Sequence, residues 1–478
     1  MSTNFDVLPP EIIEVVFDHT LQCIPAETRS LQALACSHVC RLFRLIALNS
    51  PSMWRSLPVR GKQGHGLVKL PFIEACVARS RDLPLDAFLY FYRDCDPATS
   101  RTAVLVDSTF ETILNLCARW RSCSWKFDEG NPNIDVRLAG YRPFLEVLLA
   151  FQWVDAPLLE KLSFEEGPGM DMRTLPTPIR RILSWNMPNL HTFSFDNMLC
   201  MPSFKHRIQP RSLKANFFQK EFAHHINSMR SHIKIMRSLL TAQLSFIGCR
   251  FNKPSFALFS EMHSIKSLEI TLLGCIQNAN RPKFLWHEFQ SFCFPSLAEL
   301  HINLDIEDRD SLVLWNGHNI ALYSLLAPTL AHDNERRYPS LETLVVTFHS
   351  RTKSSTPQDS QSSLPTILLP CCCVPSLKNL HIRSTQRWSL LHGVGEFNSS
   401  QPPYFERGGQ IVAINLETVT FDVPHVEGIV PWVQQLASSM QSTDCWVRFS
   451  ELTIVDSGDI VVIPRAEVER WCEDVLKH

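Results

Sequence analysis

Residues 375–382 read Pro-Ser-Leu-Lys-Asn-Leu-His-Ile. The pattern returns as Pro157-Leu-Leu-Glu-Lys-Leu-Ser-Phe164, Pro188-Asn-Leu-His-Thr-Phe-Ser-Phe195, Pro295-Ser-Leu-Ala-Glu-Leu-His-Ile302 and Pro339-Ser-Leu-Glu-Thr-Leu-Val-Val346. Each copy runs proline, x, leucine, x, x, apolar, x, apolar. Proline presets a turn, and the alternation that follows predicts a short strand with one face buried. Weaker copies occupy Ile265–Ile270 and Leu416–Phe421, with a further one at Leu244–Ile247. One such unit cannot bury its own apolar edge, whereas stacked units share a continuous core. The expected fold is therefore an α/β repeat, a leucine-rich-repeat-like solenoid with parallel strands on its concave face. A conventional α/β domain with parallel strands is the alternative, because the repeat lengths are irregular and the asparagine ladder of strict leucine-rich repeats is mostly absent.

The residues between the inward apolar positions point outward, since successive strand side chains alternate faces. Ser194, Glu299, His301, Asn303, Val345, His381, Arg383 and Thr420 are thus the candidate target-binding residues of the concave face. His301, Val345, His381 and Thr420 are expected to form one row although they are far apart in the chain. The mix of hydroxyl, histidine and both charges suits a protein surface better than a strongly charged polymer.

Upstream, 72–91 and 110–127 each change from helical period to alternation, one helix and one strand apiece, so the repeat domain is expected to run from 58 to 478. Polar, unpatterned stretches near 350–366 and 392–410 read as mobile surface loops. A last helix near 464–476 carries Val468, Trp471, Cys472 and Val475 on one face, as a terminal cap would.

The first 57 residues have another character. Pro9 and Pro10 open a helix in which Ile12, Ile13, Val16, Phe17 and Leu21 recur at helical spacing, and a second apolar pattern runs from Leu31 through Leu34, Val39, Cys40 and Phe43 to Ala47,. Pro51, Met53 and Trp54 close the segment, so two or three short helices are expected. So short a helical unit leaves apolar side chains seeking a partner. Leu8-Pro9-Pro10-Glu11, the pair Val16-Phe17, the run Val39–Ala47 and Pro51-Ser52-Met53-Trp54 together resemble the F-box, with Phe43 where that family often carries tryptophan. The segments following it resemble the same region of F-box proteins expanded in basidiomycete fungi. The resemblance implies docking onto a Skp-type adaptor and, through it, onto the cullin and RING subunits of an SCF-type ubiquitin ligase. The implied adaptor-binding residues are Leu8, Pro9, Pro10, Ile12, Ile13, Val16, Phe17, Leu34, Val39, Cys40, Phe43 and Trp54. The implied role is a non-catalytic substrate receptor for an unknown protein target, the alternative being a scaffold that acts outside ubiquitination.

The composition agrees with a partner-binding protein. Lys plus Arg is 46 and Asp plus Glu is 48, a net charge of −2 that offers nucleic acid or anionic membrane no global attraction,. No stretch approaches a membrane span, and Met1–Asp6 lacks a basic segment leading into an apolar core, so an intracellular protein is expected and the 16 cysteines read as thiols,. No phosphate-binding glycine loop, metalloprotease pair or Gly-x-Ser-x-Gly elbow occurs. Cys36, His38 and Cys40 do not share a helix face, and Cys371–Cys373 lack a second cysteine pair at finger spacing, so no metal or cofactor is expected. Cys40 reads as a packed residue.

Overall fold

The proline of each repeated unit sits one place after the residue whose carbonyl accepts the N–H of the unit's leucine. These bonds run Leu159 to Ala156, Leu190 to Met187, Leu297 to Phe294, Leu341 to Tyr338 and Leu377 to Val374, at 3.1–3.4 Å. Proline at the second position of such a four-residue turn holds φ where the turn needs it. The five leucines are at most 3% exposed, and each contributes about 1.5–3 kcal/mol by leaving water. The computed structural model describes residues 8–61, 70–92, 112–128, 155–166, 186–196, 210–218, 236–251, 260–277, 292–307, 316–326, 337–349, 366–370, 374–385, 387–396, 404–407, 415–456 and 459–477.

The chain is an α/β protein in two compact units, Met1–Ser212 and Leu213–His478. The first opens with helices α1 (Pro10–Gln22), α2 (Arg29–Ser37) and α3 (Arg41–Asn49), followed by β1 (Ser56–Gly61), α4 (Leu70–Arg79), β2 (Leu85–Tyr92), β3 (Trp120–Asp128), β4 (Lys161–Glu166) and β5 (Thr192–Asp196). Its five strands lie side by side in chain order, every neighbouring pair parallel.

In the second unit the chain runs through β6 (Ser212–Phe218), β7 (Thr241–Ile247), β8 (Arg250–Phe251), β9 (Ser260–Glu261), β10 (Ser267–Gln277), β11 (Phe292–Cys293), β12 (Glu299–Glu307) and α5 (Asn316–Leu326). It continues through β13 (Thr343–Phe348), β14 (Thr366–Leu369), β15 (Asn379–Ser384), β16 (Ser389–Glu396), β17 (Tyr404–Arg407), β18 (Thr418–Asp422), α6 (Val430–Ser442), β19 (Glu451–Asp456), β20 (Asp459–Pro464) and α7 (Val468–Lys477). The main sheet of this unit has the order β6-β7-β10-β12-β13-β15-β18-β19-β20. Neighbours from β7 to β19 are parallel, and β19 and β20 are antiparallel.

Register is locked ahead of the strands. The residue after each leucine donates its N–H to its counterpart one unit back: Glu342 to Ala298, Lys378 to Glu342, Glu417 to Lys378, Ser450 to Glu417. Side chains just before the leucine add further bonds to the preceding unit. Asn189 Nδ2 donates to Pro157 O at 2.7 Å, Asn415 Nδ2 to Pro375 O at 2.9 Å and Ser376 Oγ to Leu341 O at 2.9 Å. One strand unit escaped the sequence pattern because phenylalanine replaces leucine: the Phe449 N–H closes the same turn on Trp446 O before β19.

Two expectations are corrected, the packing of Cys40 and the loop at 392–410. The apolar run 31–47 forms two of the expected short helices, α2 and α3, parted where Cys40 is extended and its Sγ accepts from the Phe43 N–H as the cap of α3. Cys40 is consequently exposed rather than packed. The span 392–410 is not wholly loop: Gly393–Glu396 of β16 pair antiparallel with Tyr404–Arg407, a pairing hidden by glycines and polar residues that favour strand only when a partner is present. Residues 350–365 and Cys371–Cys373 lie outside the described residues. Around residue 57 the helices and the first strands are tied together: Ser30 Oγ donates to Ser56 O, Ser56 Oγ donates to Ala26 O, and the Arg79 guanidinium lies 4.3 Å above the Trp54 ring. The terminal helix is present as α7, with Val468 and Cys472 buried.

Candidate interaction surfaces

The helical segment divides the residues expected to bind an adaptor into two sets. Ile13 and Phe17 recur at i and i+4 on α1 and are buried with Leu21, and the Phe17 and Phe43 rings meet edge-on at 4.9 Å. Trp54 is wholly buried, its Nε1–H donating to Ala47 O at 2.6 Å. Ile13, Phe17 and Trp54 therefore hold the helices together and are not available to a partner. Leu34 and Phe43 are half-buried. On the outside lie Leu8, Pro9, Pro10, Ile12, Val16, Val39 and Cys40, with Ile12 49%, Val16 53% and Val39 68% exposed. Val15, Leu45 and Leu48 are also exposed and went unremarked in the sequence, because they interrupt the helical stripe rather than continue it. Large apolar side chains set in water this densely on three short helices are unfavourable unless something covers them.

The strand face of the second unit brings its candidates together as expected. His301 is in register with Val345, Val345 with His381, and His381 with Thr420. The row extends back through Glu269 to Gln243 and forward to Thr453 and Val462, residues the pattern did not single out. Asn303 and Arg383 occupy the adjacent row and Glu299 the row before it, while the side chains between them are core, as in the buried Leu300, Ile302, Leu380 and Ile382. Ser194 lies in the other unit, in a hydroxyl row with Ser163 and Ser124.

Polar groups on this face are tied to one another. Asn303 Nδ2 donates to Glu269 Oε1 and Thr271 Oγ1, both at 3.0 Å, and Thr418 Oγ1 donates to Asn379 Oδ1 at 2.8 Å. Arg383 lies 3.9 Å from Asp422 and donates from Nε to His381 Nε2. Partial burial, then the Arg383 charge, lower the His381 pKa, so the ring is neutral at ordinary pH,. The face thus offers hydrogen bonds with little net charge.

A shallow groove of about 670 Å³ follows the turns through Glu342, Lys378, Asn415, Glu417 and Arg448. Its polar groups satisfy each other: Lys378 pairs with Glu342 at 2.7 Å and Arg448 Nη1 donates to Asn415 Oδ1. Among the described residues no group of three or more histidine, cysteine or acidic side chains is placed to hold a metal ion. Nor is any described helix long and apolar enough to cross a membrane. The described cysteines are free thiols, and burial pushes the Cys76 thiol up to about 12, which makes it a packed apolar group rather than a nucleophile,. No protein-family model matches the sequence, and no curated protein is significantly similar to it.

Proposed function

We propose that this chain is a substrate receptor of an SCF-type ubiquitin ligase, its helical segment docking a Skp-type adaptor and its strand face holding a protein target. The observation that carries the reading is the set of exposed apolar residues Leu8, Ile12, Val16 and Val39, presented on helices whose other side is anchored by Ile13, Phe17 and Trp54. The strand units stack as a leucine-rich-repeat-like solenoid in this reading, with the row through His301 and His381 on its concave face. The receptor is non-catalytic and intracellular, since tethering a target near a charged ubiquitin-transfer enzyme raises effective concentration without bond-forming residues of its own. Co-purification of the chain with a Skp-type adaptor tests it. The adaptor should be retained by wild type and released by Leu8→Ala with Pro9→Ala. A folded double variant that keeps wild-type adaptor would refute the docking surface, and a chain that binds adaptor yet supports no ubiquitin transfer to any co-purifying protein would favour the scaffold.

A further inference from the structure

We infer that the outer edge of β20 captures an extended segment of another protein as an added strand. β20 is the last strand of its sheet and pairs on one side only, with β19. Among the described residues nothing pairs with its other side, so that side presents backbone donors and acceptors in the spacing only another strand can match. The strand reads Asp459-Ile-Val-Val-Ile-Pro464, and Ile460, Val461 and Val462 are 68%, 51% and 52% exposed while Ile463 is buried. β-Branched residues hold the strand extended before anything binds, which lowers the ordering cost of pairing.

Side chains specify the occupant. Ile460 is in register with Val455 and Val462 with Thr453, so they share one face, and an added strand would set its own same-face residues against an apolar patch bordered by threonine. Asp459 is exposed at one end, which favours a basic residue at the matching end of the incoming segment,. A second copy of this chain fits less well. Pairing over a strand of six residues buries far less than the roughly 1,200 Å² of a stable interface,. The occupant is therefore an extended partner segment, apolar and β-branched at alternate positions, with a lysine or arginine at the Asp459 end. Val462 ends the row that runs through His381, but the edge lies three strands beyond β15 and does not depend on the receptor reading.

The test uses the full chain and a fluorescein-labelled peptide, Lys-Thr-Val-Thr-Ile-Thr-Val, with a second peptide N-methylated at alternate amides. Fluorescence polarisation should show saturable binding of the first, weakened about tenfold or more by methylation, which blocks strand pairing and leaves the side chains intact. Ile460→Lys with Val462→Lys should abolish binding, Asp459→Lys should weaken it severalfold, and His301→Ala with His381→Ala should leave it unchanged. The inference is overturned by no saturable binding at about 1 mM peptide, or by equal binding of the methylated peptide. A dimer in sedimentation that the paired lysines dissolve would also overturn it, by making the second copy the occupant. Should the lysine variant fail to fold, the methylated peptide still decides.

Discussion

Arg383 Nε donates to His381 Nε2 across 3.1 Å, so the imidazole accepts at the nitrogen that would have to be protonated to charge it. With burial the larger cause and the Arg383 charge next, the folded state favours the neutral ring. His318 is held neutral more strongly, burial pushing it down to about 4. A histidine whose folded pKa is depressed contributes stability that is complete above the unfolded value of about 6.5 and is lost as pH falls through the folded value. Melting temperature should therefore decline below about pH 6.5, and His381→Gln should flatten part of that decline. Identical pH profiles for wild type and His381→Gln would show that the Arg383 contact does not hold the ring neutral.

The alternation in β12 sets two neighbours in opposite environments. Leu300 is wholly buried and His301 half-exposed. Leu300→Asp places an unpaired carboxylate in the core and should cost about 3 kcal/mol or more, while His301→Ala should stay within about 0.5 kcal/mol. Chemical denaturation measures both, and equal losses would mean the two faces are reversed.

On α1 the contrast is between stability and binding. Ile12→Glu with Val16→Glu alters exposed positions and should leave stability nearly unchanged while weakening adaptor binding by about 2 kcal/mol or more. Ile13→Ala should instead destabilise by about 2–5 kcal/mol. Calorimetric titration with a Skp-type adaptor and thermal melts of the same samples separate the two effects, and retained affinity in the glutamate pair would place the adaptor elsewhere.

Gly428 lies against the backbone of β16. A Cβ built there would sit 2.0 Å from the Trp388 carbonyl oxygen, and the Gly428 carbonyl itself accepts from the Leu390 N–H at 2.8 Å. Backbone cannot yield as a flexible side chain can, so Gly428→Ala should cost about 1–3 kcal/mol. A wild-type denaturation midpoint for this variant would argue against so close an approach between β16 and the segment leading into α6.

Much of the architecture was legible in the residues because its causes are local. Proline before leucine closes a turn through a bond three residues back, alternation sends Leu300 inward and His301 outward, and the recurrence of Ile12, Ile13, Val16, Phe17 and Leu21 marks α1 as a helix. Those signals survive in sequence since each depends only on near neighbours. They also located the row from His301 to Thr420, because equal offsets from equivalent turns place residues side by side once units stack.

Other features depended on groups distant in the chain. Whether Phe17 or Val16 faces water, and which expected docking residues are structural, followed from where α3 and Trp54 came to rest. Where α2 gives way to α3 turns on the cap bond at Cys40, which the apolar pattern does not mark. The first half of β16 pairs with β14, whereas Gly393–Glu396 and β17 carry weak strand signals and pair with each other. The open edge of β20 could not be read from Ile-Val-Val-Ile, which is as suited to a core as to a surface. The residues alone established which side chains alternate and which turns close, and the tertiary structure alone decided which strand came last, because backbone pairing is satisfied between segments and leaves no mark on the residue that goes without a neighbour.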